Sequence, residues 1–363
     1  MVEKCRVRGL TKRFGTTTVV DDVALDVSEG EFVVILGPSG CGKTTTLRMI
    51  AGLAEPDAGS IDIDGRRVCA PAERLFVPPE QRNIGMVFQS YAIWPHMTVF
   101  ENVAYPLRVR RVGGGERKRR VADVLERVGL GQESDRPATA LSGGQMQRVA
   151  LARALVFNPA MVLFDEPLSN LDLKLRERLR VELKSLQRET GLTSIYVTHD
   201  QTEAVELADR IIVMKAGRVV QTGTPRELYR TPTSRFVAEF ISTANIFDAV
   251  VEGFAGPGFV RVRCDDGRAL IAAHTVPVRP GERVDVVVHP EDCRIEATQG
   301  EHAHQVRITG LRYQGTSTRI TLRWMGTEID VVSLGTLPAI EEGSEAWLHI
   351  RPEHARVIPR PVP

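Results

Sequence analysis

Cysteine is scarce and unpatterned in this chain of 363 residues. The five present, Cys5, Cys41, Cys69, Cys264 and Cys293, are odd in number, scattered and without C-x-x-C spacing. Neither a disulfide framework nor a zinc site is indicated, which suits a reducing cytoplasm. An excess of either charge is also missing: 47 Lys and Arg stand against 46 Asp and Glu, a net charge of +1. No domain-wide positive field exists to neutralise phosphates, so composition offers no support for a nucleic-acid partner. No apolar run approaches the roughly 18 residues that a membrane-spanning helix needs, and the N-terminal residues lack a basic-then-apolar signal. The chain is expected not to span a membrane, although it could sit on a membrane partner.

What is present is ordinary in bulk and specific in detail. Apolar content of 42% and charged content of 26% are those of a soluble globular protein, and the length implies two domains or three small ones. The most informative stretch is Gly37-Pro38-Ser39-Gly40-Cys41-Gly42-Lys43-Thr44. It follows the apolar run Phe32–Leu36 and precedes a segment that reads as a helix, so strand, glycine loop and helix follow one another with the G-x-x-x-x-G-K-[ST] spacing. Glycines let main-chain N–H groups turn inward around a phosphate, and the helix N-terminus aims its dipole at the same anion. Lys43 would reach the terminal phosphates, and the Thr44 hydroxyl could ligate Mg²⁺.

Taken in order, residues 1–30 alternate like a small antiparallel sheet, with Phe14 in the turn Lys12-Arg13-Phe14-Gly15 as either a packed anchor or a ligand-facing ring. Apolar strands at 84–88, 161–164 and 194–198 alternate with helical spacings at 116–130, 146–157, 171–190 and 203–209, and residues 210–221 read as a hairpin. This predicts a mostly parallel α/β sheet whose ligands gather at the carboxyl ends of its strands. Residues 91–105 mix Trp94, Pro95, His96 and Phe100 without a clear period, as core or as a docking surface. Arg117-Lys118-Arg119-Arg120 reads as a solvated helix face rather than a nucleic-acid patch. From about residue 240 short β patterns take over. Val287–Ile295 and His349–Val357 form a repeat, apolar, any residue, Pro-Glu, two residues, Arg, branched apolar, 62 positions apart, which predicts two related β units, each a small barrel.

Several motifs converge on the same chemistry. Asp165 ends an apolar strand and could hold Mg²⁺; Glu166 beside it could orient and deprotonate an attacking water. Gln89 and His199 also follow apolar strands, as caps or as groups facing the same ligand. Ser142-Gly143-Gly144 precedes a helix and is a second anion nest. One nucleotide does not need two nests, so the second is expected to complete the site of another copy in an isologous dimer with two nucleotides between its faces.

Together the phosphate loop, Gln89, Leu141-Ser142-Gly143-Gly144-Gln145, Asp165-Glu166, Ser169-Asn170-Leu171-Asp172 and His199 resemble the ATPase subunits of ABC transporters over about residues 3–240. The resemblance implies a P-loop NTPase core with antiparallel β and helical subdomains (1–239) and an all-β, OB-like regulatory domain (240–363). It assigns ATP to Gly37, Ser39, Gly40, Cys41, Gly42, Lys43, Thr44 and Thr45, with Phe14 stacked on adenine. Thr44, Gln89 and Asp165 would serve Mg²⁺ and water, Glu166 would be the base, and His199 would meet the γ-phosphate. Ser142, Gly143, Gly144 and Gln145 would contact ATP on the opposite subunit, with Asp172 signalling across the dimer. The β-rich tail and its Pro-Glu repeats resemble the subgroup that imports sugars, polyamines, ferric iron or sulfate. Tyr313–Thr318 and Asn245-Ile246-Phe247 look more like polyamine or ferric-iron systems than maltose systems. Gln89 to Phe100 looks like the surface that receives a transmembrane permease subunit, with a solute-binding protein as an indirect partner, on the cytoplasmic face of the membrane. The competing reading is a soluble ABC ATPase acting on DNA or ribosomes. It would want a long coiled coil before the signature or a second ATPase unit, and neither is found. A GTPase would want an N-K-x-D reader, which is also not found.

Overall fold

The computed structural model describes residues 2–265, 267–296, 298–299, 303–335 and 340–360. Contacts divide the chain into two compact units, Met1–Pro225 and Arg226–Pro363. The composition change lies somewhat later, near residue 240, because two short helices precede the β-rich stretch within the second unit.

The first unit opens with β1 (Glu3–Phe14), β2 (Thr17–Ser28), β3 (Phe32–Leu36), α1 (Lys43–Ala51), β4 (Ala58–Ile63), β5 (Arg66–Ala70), β6 (Leu75–Phe76) and β7 (Ile84–Val87). It continues with α2 (Val99–Val109), α3 (Gly114–Arg127), α4 (Gly143–Leu155), β8 (Met161–Asp165) and α5 (Leu173–Thr190). It closes with β9 (Ser194–Thr198), α6 (Gln201–Leu207), β10 (Arg210–Lys215) and β11 (Arg218–Gly223). An antiparallel sheet runs in the order β2-β1-β4-β5-β6, as the alternating N-terminal pattern predicts. The second sheet runs β11-β10-β3-β9-β8-β7, parallel from β10 to β7 with β11 returning as a hairpin.

Every residue of β3, β8 and β9 is buried. That is the reason these segments read as unbroken apolar runs: parallel strands are covered on both faces. Phe32, Phe164 and Tyr196 pack ring to ring at 5.7–6.3 Å between centroids. The register matters most at the carboxyl edge. Leu36 lies opposite Thr198, Val197 opposite Asp165, and Phe164 opposite Val87. The loops leaving these strands therefore start side by side, and they are the loops that carry Gly37, His199, Glu166 and Gln89.

Helices α2, α3 and α4 form a small bundle around Val103, Leu107, Val121, Leu125 and Val149. The stretch 91–105, which shows no period, contains the start of α2. Thr98 accepts from the Glu101 backbone N–H while the Glu101 carboxylate accepts from the Thr98 N–H, a capping box hidden by the aromatic residues around it. Helix α1, which carries the phosphate loop, is held at its other end by Arg82. This buried guanidinium donates to the carbonyls of Met49 (2.8 Å), Ile50 (2.9 Å) and Val77 (2.7 Å), satisfying orphan acceptors of the helix C-terminus.

The second unit contains α7 (Pro225–Arg230), α8 (Arg235–Ile241), β12 (Asn245–Phe254), β13 (Phe259–Cys264), β14 (Ala269–Ala273) and β15 (Arg283–Val288). Strands β16 (Cys293–Glu296), β17 (Ala303–Tyr313), β18 (Ser317–Trp324), β19 (Thr327–Leu334), β20 (Glu345–Ile350) and β21 (Arg356–Pro359) follow. A closed barrel, β12-β13-β14-β21-β15, stands with a five-stranded sheet, β16-β20-β17-β18-β19. The two Pro-Glu repeats do not build one barrel each. The first is the passage from β15 of the barrel to β16 of the sheet, and the second is the return from β20 of the sheet to β21 of the barrel. The passages pair antiparallel at both ends, Val286 opposite Val357 and Cys293 opposite Ile350. Asp292 and His354, which occupy equivalent repeat positions, pair with each other at 2.8 Å.

Replacing Arg82 by Met removes three buried hydrogen bonds, although the Met49 carbonyl keeps the Gly52 N–H at 3.1 Å. It is expected to destabilise the first unit by about 2–4 kcal/mol in urea unfolding, since each unsatisfied buried group costs ~1–3 kcal/mol and part of that is recovered by relaxation.

Candidate functional site

The phosphate loop is shaped by contacts that only glycine permits. A Cβ on Gly37 would lie 2.4 Å from the Met214 carbonyl oxygen. Gly42, at φ +103°, would set one 2.6 Å from the Val19 carbonyl oxygen. Gly42 is also the residue before α1, and no side chain caps that helix and no acidic residue occupies its first turn. Its N-terminal amides are thus left for an external anion. Lys43 is buried, its ammonium donating to the carbonyls of Gly37 (2.8 Å) and Pro38 (3.0 Å). The cation thus sits inside the loop that Gly37, Ser39, Gly40, Cys41 and Gly42 form. Thr45 and Thr46 begin α1, and Thr46 turns its hydroxyl back to the Gly42 carbonyl at 3.0 Å.

Thr44 Oγ1 donates to Asp165 Oδ1 at 3.0 Å, joining the loop after β3 to the end of β8. Burial pushes the Asp165 carboxyl above the usual carboxylate range, an effect opposed by the Thr44 hydrogen bond and by Arg48 at 3.7 Å. Two oxygen donors at hydrogen-bond distance, one on a buried carboxylate, are the hard ligands that Mg²⁺ takes. Among the described residues no cluster of three His, Cys, Asp or Glu side chains has metal-binding spacing. A cation here would therefore be held by few protein oxygens, as Mg²⁺ beside a phosphate usually is. The donor set fits.

Glu166 follows in a left-handed conformation, φ +45°, with its N–H donating to the Val197 carbonyl at 3.1 Å. Such a backbone is costly for a non-glycine residue and is kept where the surroundings impose it. The turn brings Glu166 Oε2 to 3.2 Å from His199 Nδ1, the imidazole being exposed and the carboxylate largely covered. Gln89 Nε2 donates to Ser169 Oγ at 3.2 Å, and Asn170 donates to the Gln89 carbonyl at 3.1 Å. Lys43, Thr44, Asp165, Glu166, Gln89 and His199 come together at the one edge, as the strand order predicts.

The other residues lie elsewhere. Ser142 caps α4 by a capping box with Gln145, and Gly143 and Gly144 pack within 3.1 Å, measured from an added Cβ, of Leu171 and Leu175. Asp172 caps α5, accepting from Leu175 N–H at 3.0 Å. The helix starts that sequence period placed at 146, 171 and 203 are instead at 143, 173 and 201, each directly after a capping side chain: Ser142, Asp172 and Asp200. Phe14 is 56% exposed at the tip of the β1–β2 hairpin, so it is not a packed anchor. Beyond Gln89, Tyr91 and Ala92 both have positive φ (+60° and +48°) and are held by buried Arg153, which donates to their carbonyls at 2.7 and 2.5 Å under the Trp94 ring. Asn102 clamps Trp94 from the other side through its N–H (2.9 Å) and carbonyl (3.1 Å). Sequence reasoning missed Arg153 and Asn102, and it named Ser169 only as part of a motif, without its bond to Gln89.

Comparisons with known proteins give the family. The ABC transporter family profile matches residues 20–169, and the TOBE domain profile matches residues 286–358. The chain is 47% identical over 358 residues to the spermidine/putrescine import ATP-binding protein PotA of Frankia alni, covering 94% of this chain and 76% of that protein. It is 44% identical over 356 residues to the protein of the same name in Thermobifida fusca, covering 95% and 89%. In Rubrobacter xylanophilus the corresponding figures are 48% over 320 residues, 88% and 83%. Among solved structures, a dimeric bacterial ABC transporter cassette is 36% identical with a TM-score of 0.53, covering 61% of this chain and 98% of its own.

A carboxyl whose folded pKa is raised destabilises the fold while ionised, and that cost is relieved as pH falls through the raised value. Asp165→Asn removes the charge and keeps an acceptor for Thr44. At neutral pH it should raise the melting temperature of the nucleotide-free protein, by about 2–4 °C for a gain near 1 kcal/mol, while abolishing any Mg²⁺-dependent increase on adding nucleotide. Differential scanning calorimetry with and without Mg²⁺ and ATP checks both.

Proposed function

The chain belongs to the ABC transporter ATP-binding family, and from that premise we propose that it is the ATPase that powers import of a polyamine, spermidine or putrescine. Members of this family hydrolyse ATP to power transport. The observation that carries the solute is that the likeness to PotA proteins extends over 94% of the chain, through the β-rich unit as well as the ATPase unit. The importer likeness also disfavours a soluble ATPase acting on DNA or ribosomes.

In this reading the loop Gly37–Thr45 holds the ATP phosphates, Lys43 neutralises them, and Phe14 offers its exposed ring to adenine. Mg²⁺, held by Thr44 and Asp165 with Gln89 nearby, supplies charge neutralisation at the phosphates. Glu166 orients a water and takes its proton, and His199, 3.2 Å away, fixes that carboxylate and reaches towards the γ-phosphate. Ser142 and Gln145 cap α4 reciprocally while Gly143 and Gly144 pack on Leu171 and Leu175, and we assign these four residues to ATP carried by a second copy, with Asp172 capping the nearby α5. A homodimer with two shared sites follows, and a dimeric cassette among the structural relatives supports it. The clamped segment Gln89–Phe100 is the proposed seat of the permease. No helix among the described residues is long and apolar enough to cross a membrane, so association with the membrane's cytoplasmic face would run through that partner, and a solute-binding protein would act outside it.

Glu166→Gln should lower kcat by about 10²–10⁴-fold and, with ATP, double the mass seen by light scattering. An unchanged rate would remove the base assignment, and a strict monomer would remove the shared site. Lys43→Ala should instead weaken ATP binding. The solute is tested in proteoliposomes holding the protein with its permease and binding protein: ATP-dependent uptake of labelled spermidine or putrescine is expected, and uptake of ferric iron or sugar alone would overturn it.

A further inference from the structure

Two loops deliver the reacting pair, 166–172 with Glu166 and 199–200 with His199, and one side chain bridges them. Arg176, one turn into α5, donates through Nη2 to the Leu171 carbonyl at 3.0 Å. Its Nη1 meets Asp200 Oδ2 at 3.4 Å, and its Nε lies 4.0 Å from Glu203 Oε1. Glu203 is 3% exposed and is itself anchored to β9: its Oε2 accepts from the Tyr196 hydroxyl (2.9 Å) and from Thr198 Oγ1 (2.7 Å). Thr198 Oγ1 in turn accepts from the Asp200 N–H at 3.0 Å, and Asp200 caps α6. The residue between Thr198 and Asp200 is His199.

We propose that Arg176 is a positioning residue: it holds the Glu203-anchored His199 loop at a set distance from the Leu171 carbonyl and so keeps His199 in reach of Glu166. Among the described residues its hydrogen bonds and ion pairs go to the Leu171 carbonyl, Asp200 and Glu203. Both carboxylates follow His199 in the chain, and the carbonyl it holds belongs to the loop that Glu166 begins. A bond from Glu166 N–H to Val197 O secures the near ends of the two loops; Arg176 secures the far ends. With both ends tied, the 3.2 Å approach of Glu166 and His199 is set by the frame, and their own attraction need not create it. Leu171 also packs on Gly143 at 3.1 Å from an added Cβ, so a shift of the signature helix reaches the pair through the same carbonyl.

The inference rests on the reading of Glu166 and His199 as the hydrolytic pair, and the test separates the two. Steady-state ATPase of the full chain is measured for Arg176→Ala, Arg176→Lys, His199→Ala and the double variant Arg176→Ala/His199→Ala. Misplacing a catalytic group by about 1 Å can cost ~10²-fold, so Arg176→Ala should lower kcat by roughly 10–100-fold with KM for ATP within about twofold. Arg176→Lys, which keeps the charge but loses the fork, should fall between, and it serves if the Ala variant does not fold. In the His199→Ala background Arg176→Ala should add less than about twofold, because coupled residues are not additive. Multiplicative losses, or Arg176→Ala and Arg176→Lys retaining the parent kcat, would overturn the positioning role. The hydrolytic reading itself fails if either His199→Ala or, measured alongside, Glu166→Gln keeps the parent rate.

Discussion

The carboxyl edge of the parallel sheet is the constraint on which the rest of this molecule depends. Three adjacent strands, β3, β9 and β8, are buried along their whole length, so their register cannot slip without pulling polar residues into the core. That register lines up Leu36, Thr198, Val197, Asp165, Phe164 and Val87 in rows. Every loop that carries a proposed site residue begins one or two residues past those rows. The phosphate loop, Asp165, Glu166, His199 and Gln89 are thus gathered at one edge by strand pairing, and the loops themselves need supply only short-range orientation.

Orientation is supplied by groups whose burial works against the fold's own stability. Asp165 carries its carboxyl into the core edge, where desolvation disfavours its charge. Glu166 keeps a left-handed backbone. Tyr91 and Ala92 do the same beyond Gln89, secured by a buried Arg153 whose pKa burial lowers to about 10. Each costs some stability, and each lies at a place where a ligand or a partner would be met, the usual distribution of such strain. The caps tell a related story. Ser142, Asp172 and Asp200 end loops and start helices at once, so the residues that define the helix boundaries also fix the loops next to the site.

The β-rich unit solves a different problem. Its two Pro-Glu segments cross between barrel and sheet in opposite directions, and each strand they lead into pairs beside one they leave. The barrel takes β21 from the far end of the chain segment and the sheet takes β20, so neither closes until the whole unit is present. Trp324, Phe247 and the surrounding Val and Ile residues make one continuous core through both. A repeat in sequence has here become a pair of crossings in space.

Much was legible from the residues alone, for stated reasons. The phosphate loop, the Asp165-Glu166 pair and the parallel strands follow from apolar runs and glycine spacing, because buried parallel strands and anion cradles leave little freedom in residue type. The need for a second copy was legible in the surplus of nests. Tertiary structure alone decided the remainder. That Phe14 stands in solvent, that the repeats exchange strands, and that Arg176 bridges the loops of Glu166 and His199, 24 positions from Asp200, all depend on which surfaces meet between distant parts of the chain. No local period or propensity carries that information, since a lone arginine on an amphipathic helix has the same sequence signature whether it faces water or ties two loops together.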